Sequence, residues 1–109
     1  MIRVLIERYI ADDLADHYEK AARATLTQAM QAHGFISGEA LHDAQDPNHR
    51  VVLATFRTIG DWQRWARSGE RQEAMATINP MLTSDEKITL LEHTRWPAKC
   101  GWTGSNAAT

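Results

Sequence analysis

The sequence predicts an α+β fold of the ferredoxin-like type, a four-stranded antiparallel sheet with helices on one face. Strand-like and helix-like segments follow one another in the order β-α-β-β-α-β. Right-handed crossovers then place both helices on the same face. The run VVLATF at residues 51–56 is apolar at almost every position, so a sheet built around it must be covered on both faces. We therefore expect a homodimer whose second copy packs on the face that the helices leave bare.

The first strand is predicted over residues 2–10. Ile2, Val4 and Ile6 alternate with other residues and form one aliphatic face. Glu7 lies on the other face, which mixes apolar and polar side chains. A strand between a core and a ligand cavity has this pattern, and so does a half-exposed edge strand.

A long amphipathic helix is predicted over residues 12–33, because apolar side chains recur at intervals of three and four residues. Asp12 or Asp13 is suited to cap this helix by accepting the free amides of its first turn. Gly34 is suited to the left-handed position just past the helix end.

The next two strands are predicted as a β-hairpin over residues 35–42 and 50–57. Asp46-Pro47-Asn48 lies between them and predicts the turn, since proline presets φ and the two polar residues form local hydrogen bonds.

The second half of the chain repeats the helix-then-strand order. The segment TIGD at residues 58–61 predicts a capping box at the start of a helix. Ser68-Gly69 interrupts that helix, and Pro80 ends its second segment. A fourth strand is predicted over residues 87–93.

Length and composition indicate one domain, residues 1–95, followed by a C-terminal tail, residues 96–109. Lys and Arg number 12 and Asp and Glu number 14, a net charge of −2, so neither nucleic acid nor membrane is expected as a partner. No segment approaches the roughly 20 apolar residues of a membrane span. The single cysteine and the lack of a signal peptide predict a cytoplasmic protein.

Two stretches, GFISGEALHDAQDP and RVVLATFRTIGDWQRWARSGERQEAMATINPML, resemble the antibiotic biosynthesis monooxygenase domain. The resemblance covers about residues 1–94. It implies the same β-α-β-β-α-β order and a dimeric α+β barrel. It also implies a range of activities, because members include cofactor-free oxygenases, haem-degrading enzymes and proteins of unknown role.

The resemblance can be followed to individual site residues. Haem-degrading members use an Asn on the first strand, a Trp on the second helix and a proximal His ten residues after that Trp. Trp65 matches the Trp, but Glu7 and Met75 stand at the Asn and His positions. Quinone-forming oxygenases use an Asn on the third strand and a Trp four residues later, where this chain has Val52 and Phe56. Haem degradation is not expected, because two of the three residues of the haem-degrading members, including the iron ligand, are replaced in this chain.

The resemblance favours a cofactor-free monooxygenase that acts on a small aromatic or quinol-type molecule in a barrel cavity. No cofactor or metal is expected, because the chain lacks a dinucleotide fingerprint and closely spaced metal ligands. Glu7 is the first candidate for the catalytic base and His93 the second. Four side chains are expected to stack on the substrate or line its pocket: Trp65, Trp62, Phe56 and Met75.

Each candidate also has a purely structural interpretation. Glu7 can form an ion pair with an arginine, Met75 can fill a gap in the core, and His93 can be a structural histidine. The Trp62–Trp65 pair can be ordinary core packing. The alternative function is therefore a non-catalytic dimeric ligand-binding domain, and a cavity of some 300 Å³ or more would favour the enzyme.

Three arginines at helical spacing, Arg64, Arg67 and Arg71, form a further candidate site. They could hold an anionic substrate, but a solvated helical face is the interpretation that such a charge run predicts.

Overall fold

The computed structural model describes residues 1–94, so the predicted tail and its boundary with the domain lie outside the described residues. A short 3-10 turn, Asn79–Met81, follows the last helix. None of the described helices has the length and apolar character needed to cross a membrane. The main elements are β1 (Ile2–Tyr9), α1 (Ala15–Ala29), β2 (Phe35–Asp43), β3 (Asp46–Phe56), α2 (Ile59–Ala66), α3 (Gly69–Ile78) and β4 (Lys87–Leu91).

The four strands form one antiparallel sheet in the order β2-β3-β1-β4. β1 is central and pairs with both β3 and β4, so that Leu5 lies between Leu53 and Thr89. β2 pairs with β3 as a hairpin. This is the predicted ferredoxin-like arrangement, and the fold class is confirmed.

Alternation along β1 and β3 gives the sheet two distinct faces. The helix face, defined by Ile2, Val4 and Ile6 and by their partners on β3, is covered by the helices and contains the main core. The predicted aliphatic face of β1 is therefore a core face. The buried members of the main core are Ile2, Val4, Ile6, Ala29, Ala54, Phe56, Trp62 and Trp65.

The opposite face, here called the open face, carries the odd-numbered residues of β1 and β3. Leu5, Val51 and Leu53 are half-buried in its centre. Leu41 and Leu91 expose 48% and 42% of their surface on the neighbouring strands. The open face is thus apolar at its centre, as the unbroken apolar run of β3 predicts.

The start of α1 differs from the prediction. The helix begins at Ala15, its N-cap is Leu14, and no side chain caps it. Asp12 does not cap, because its Oδ1 accepts a hydrogen bond from Asn48 Nδ2 at 2.7 Å and so joins this segment to β3. Asp13 takes a positive φ of 69°, which breaks the helical path before Leu14.

The hairpin turn also lies elsewhere than predicted. It is formed by residues 44–45, and Asp43 Oδ1 accepts a hydrogen bond from the Gln45 amide at 2.8 Å across it. Asp46 and Pro47 belong to β3 instead, because proline is tolerated in the first residues of a strand. The predicted turn at residues 46–48 is therefore wrong.

A side-chain cap begins each helix of the second half, and the Thr58 cap is one half of the predicted capping box. The Asp61 amide donates to Thr58 Oγ1 at 3.1 Å, which begins α2. The Arg71 amide donates to Ser68 Oγ at 3.2 Å, which begins α3 after the predicted interruption. β4 ends at Leu91, two residues earlier than predicted.

Candidate functional site

A small cavity lies between the helix face of the sheet and the helices, and aromatic rings enclose much of it. Phe56 on β3 packs edge-on against Phe35 and Trp62, with ring centroids 5.5 and 5.6 Å apart. Trp65 follows Trp62 by three residues on α2 and lines the same space. The free volume of this cavity is about 30 Å³.

Two arginines line this cavity, and one carboxylate holds both of them. Arg8 continues the helix face of β1, and its Nε donates to Glu86 Oε2 at 2.8 Å. Arg71 from α3 donates through Nη2 to Glu86 Oε1, also at 2.8 Å. Arg8 and Arg71 expose only 4% and 9% of their surface, and the Glu86 side chain exposes 10%.

This Arg8–Glu86–Arg71 cluster contains more positive than negative charge. Arg8 also donates to the Tyr18 hydroxyl at 3.0 Å and to Met75 Sδ at 3.6 Å, but neither acceptor is an anion at neutral pH. Burial opposes the charge on Arg8, yet its contacts with Tyr18 and Glu86 outweigh burial and raise the pKa of its guanidinium. Two guanidinium groups thus share a single carboxylate.

Arg71 has hydrogen-bond donors to spare. Its guanidinium lies over the Trp62 ring, 5.6 Å from the centroid. In the part of the chain that the structure describes, Glu86 is the only acceptor for its side chain. An arginine side chain carries five N–H donors, so several of those on Arg71 have no acceptor among residues 1–94.

A second polar cluster lies on the open face. His49 approaches Glu7 Oε1 through Nε2 and Asp43 Oδ2 through Nδ1, both at 3.3 Å. The Tyr9 ring stacks on the imidazole, with centroids 4.4 Å apart. A neutral imidazole can donate to only one of these carboxylates, whereas an imidazolium donates to both.

A family model described as antibiotic biosynthesis monooxygenase matches residues 1–77, well over half of the chain. The chain belongs to this family. No curated protein sequence matches it.

Solved structures agree with this assignment at the level of the fold. One, described as antibiotic biosynthesis monooxygenase, has a TM-score of 0.80 at 16% identity and covers 86% of this chain and 99% of its own. A conserved protein from Methanosarcina mazei Go1 has a TM-score of 0.81 at 14% identity, covering 85% and 92%. SnoaB, a cofactor-independent oxygenase from Streptomyces nogalater, has a TM-score of 0.76 at 12% identity, covering 88% and 96%.

In this family member the residues predicted for one site are divided between the two faces of the sheet. Trp62, Trp65 and Phe56 are brought together on the helix face around the cavity. Met75 is buried nearby and contacts Arg8, although it packs in a second core cluster. Glu7 lies on the open face with His49, away from the tryptophans.

The second predicted base, His93, is not on the fourth strand. β4 ends at Leu91, and His93 is exposed beyond it. Neither base candidate therefore lies at the helix-face cavity of this family member.

Sequence reasoning missed most of the arginine cluster. Arg71 was expected on a solvated face with Arg64 and Arg67, which are indeed exposed, whereas Arg71 itself is buried. Arg8 could have been found, because two-residue alternation puts it on the same face as the aliphatic residues of β1. Glu86 gives no such signal, since it lies in a loop 78 positions from Arg8.

The cavity does not fit haem, which some members of the family use. Met75 stands where the resemblance puts the iron ligand, but it is buried and its sulfur already accepts a hydrogen bond from Arg8. A free volume of about 30 Å³ is far too small for a porphyrin. Among residues 1–94 no group of three His, Cys, Asp or Glu is arranged to hold a metal ion.

Proposed function

We propose that this protein is a cofactor-independent monooxygenase that oxidises a small electron-rich aromatic molecule of the quinol type. The observation that carries the proposal is the helix-face cavity, which combines aromatic walls with two buried guanidinium groups in a chain of the monooxygenase family. The fold shared with a cofactor-independent oxygenase supports it.

Without a cofactor, the substrate itself must supply the electrons that reduce O₂. In the conversion of an anthrone to an anthraquinone, a CH₂ group becomes a carbonyl group. One oxygen atom enters the product, the other leaves as water, and the substrate supplies all four electrons. The protein has to bind the substrate anion, orient it and exclude water. Trp62 and Trp65 offer faces for stacking, and the guanidinium groups favour an anion over its neutral acid.

Substrate binding requires the cavity to open. An aromatic ring does not fit into about 30 Å³, but an outer cleft of about 410 Å³ lies next to the cavity, and Trp65 lines both spaces. Rotation of the Trp65 ring would join them. The stacking partner of the substrate would then also be the side chain that admits it.

The second candidate is a non-catalytic ligand-binding domain of the same family. The small free volume favours it, because catalytic pockets are commonly 300 Å³ or larger. The absence of a base candidate from the described lining of the cavity also favours it, since Glu86 is already bound by two arginines.

We further propose that the protein works as a homodimer formed through the open face. The apolar centre around Leu5 and Leu53 supports this assembly. A small aromatic molecule is the proposed ligand, with no nucleic acid or membrane partner. The cytoplasm is the proposed location, and residues 96–109 are the proposed tail of a domain that ends at residue 95.

An oxygen electrode separates the two candidates. Metal-free protein is tested with quinols, anthrones and naphthols, and oxygen uptake above the uncatalysed rate with at least one of them is expected. Trp65→Ala should raise KM more than it lowers kcat, because it removes a stacking surface. If no compound in the panel gives uptake, the ligand-binding domain becomes the better conclusion.

Glu7→Gln shows which face of the sheet carries the chemistry. The sequence-based expectation is a loss of about 10²–10⁴-fold in turnover, the usual contribution of a general base. Chemistry in the helix-face cavity would instead leave turnover unchanged, because Glu7 lies on the open face. An unchanged rate removes Glu7 from the mechanism without affecting the proposed activity.

A further inference from the structure

We propose that the ligand of the helix-face cavity is an aromatic anion and that the Arg71 guanidinium binds its charged oxygen. The inference rests on the proposed function for its site and goes further by assigning the charge of the ligand and the residue that binds it. It is carried by the charge balance and the hydrogen bonding of the Arg8–Glu86–Arg71 cluster.

The Arg8–Glu86–Arg71 cluster has a net positive charge. Two buried guanidinium groups share the Glu86 carboxylate, so one positive charge has no counter-ion within the cluster. Residues 95–109 contain neither Asp nor Glu, and so no side chain of that segment can supply a carboxylate. Burial of a charge is unfavourable unless an opposite charge accompanies it. A ligand that brings one negative charge would complete the cluster.

The hydrogen bonding points to Arg71 rather than Arg8. Arg8 is engaged by Glu86, by the Tyr18 hydroxyl and by Met75 Sδ. Arg71 is nine-tenths buried, and in the described residues its side chain donates only to Glu86. Its remaining N–H groups are available to a planar anion, which arginine binds through two parallel hydrogen bonds.

The walls of the cavity indicate that the anion is aromatic. The Arg71 guanidinium lies over Trp62, and Phe56, Phe35 and Trp65 also line the cavity, together with aliphatic side chains. A ring that enters past Trp65 would contact aromatic faces while its charged oxygen reaches Arg71. An aliphatic acid or inorganic phosphate would leave these aromatic walls without a partner.

The test compares an aromatic acid with its uncharged ester. 1-Hydroxy-2-naphthoic acid and its methyl ester are titrated at pH 7 into the full chain, with quenching of tryptophan fluorescence as the signal. The acid should bind about tenfold more tightly or better, the range expected for hydrogen bonds to a charged group. Equal binding of acid and ester, or binding of neither, would overturn the inference.

Variants then assign the effect to Arg71. Arg71→Gln should remove the preference for the acid, and Arg71→Lys should restore part of it by returning the charge without the planar fork. Arg67→Gln is the matched control, because Arg67 is an exposed arginine on the same stretch of chain. An acid preference that survives Arg71→Gln at full size would refute the role of Arg71.

A gain of binding provides a second measurement if Arg71→Gln does not fold. Glu86→Gln removes the carboxylate that the two arginines share, so the acid should bind several-fold more tightly while the ester is unaffected. Weaker binding of the acid by Glu86→Gln would count against the inference. If the protein binds the acid more tightly than the ester but takes up no oxygen, only the proposed oxygenase activity is refuted. If it takes up oxygen but binds acid and ester equally, only the proposed anion site is refuted.

Discussion

The His49 side chain on β3 contacts residues of both neighbouring strands, β1 and β2. It contacts carboxylates from two other strand positions, Glu7 and Asp43, and it is stacked by Tyr9. The Gln45 amide and the His49 ring lower the pKa of the Asp43 carboxyl below its ordinary value of 3.8. This carboxylate is therefore better stabilised in the folded chain than in the unfolded one.

The lowered pKa of Asp43 predicts an acid-dependent stability effect. A carboxyl group with a depressed folded-state pKa stabilises the fold above its unfolded pKa and loses that contribution as the pH falls through the folded one. Asp43→Asn should therefore lower the urea midpoint at pH 6–7, and the difference from wild type should shrink as the pH is lowered below about 4. Asp85→Asn, in an exposed loop, is the control. An equal difference at pH 3 and pH 7 would contradict the prediction.

The second prediction at the residue scale is that the protein does not bind haem, and it rests on the position of Met75. Because its sulfur is buried against Arg8, addition of one equivalent of hemin should give no stoichiometric complex and no change in the Soret band. Met75→His should not create haem binding either, because the cavity is too small for a porphyrin. Tight binding of hemin by the wild-type protein, followed by its conversion to a linear tetrapyrrole on reduction, would contradict this prediction.

At the scale of elements, one close approach joins the turn before β2 to the start of α2. Gly34 precedes β2 with a φ of 84°, and the Asp61 side chain of α2 packs on its Cα so closely that a Cβ there would overlap it. Asp61 also binds Arg64 Nη1 at 3.2 Å. Glycine is therefore required both by its backbone angle and by its neighbour.

Gly34→Ala should lower the free energy of unfolding by about 1–3 kcal/mol, the range for a non-glycine residue forced into the left-handed region. Gly34→Ala with Asp61→Ala should cost less than the two single changes added together, since the contacts with Asp61 Oδ2 and Cγ are then gone and only the contact with its Cβ remains. Gly69→Ala is the control, because a Cβ there meets no atom within 4 Å. Chemical unfolding measures the wild type and all four variants, and strict additivity would show that the overlap is relaxed at no cost.

For the whole molecule, the open face leads to a prediction about assembly. Light scattering at micromolar concentration should give about twice 12.3 kDa for the wild-type chain. Leu53→Glu places a charge at the apolar centre of the open face and should give a monomer that remains folded. Met30→Glu, on an exposed position of the helical side, should remain a dimer. A monomeric wild-type protein would refute the proposed assembly.

The sequence by itself determined the order of the strands and helices, the aliphatic face of β1, the Thr58 cap and the break between the two helical segments at Ser68-Gly69. These features depend on side chains within a few positions of one another, whose periodicity and local hydrogen bonds are visible along the chain. Asp12 and the segment 46–48 show the limit of such reasoning. Their local chemistry favoured a cap and a turn, but Asp12 bonds to Asn48 instead, and residues 46–48 continue β3.

Only the tertiary structure decided what the functional candidates face. It packed Trp62 and Trp65 on the face opposite Glu7, buried Arg71 beside Trp62, and brought Glu86 to Arg8 across 78 positions of sequence. The charge balance of the cavity depends on these distant contacts. No local pattern encodes them, because the cluster joins residues of β1, α3 and the loop before β4.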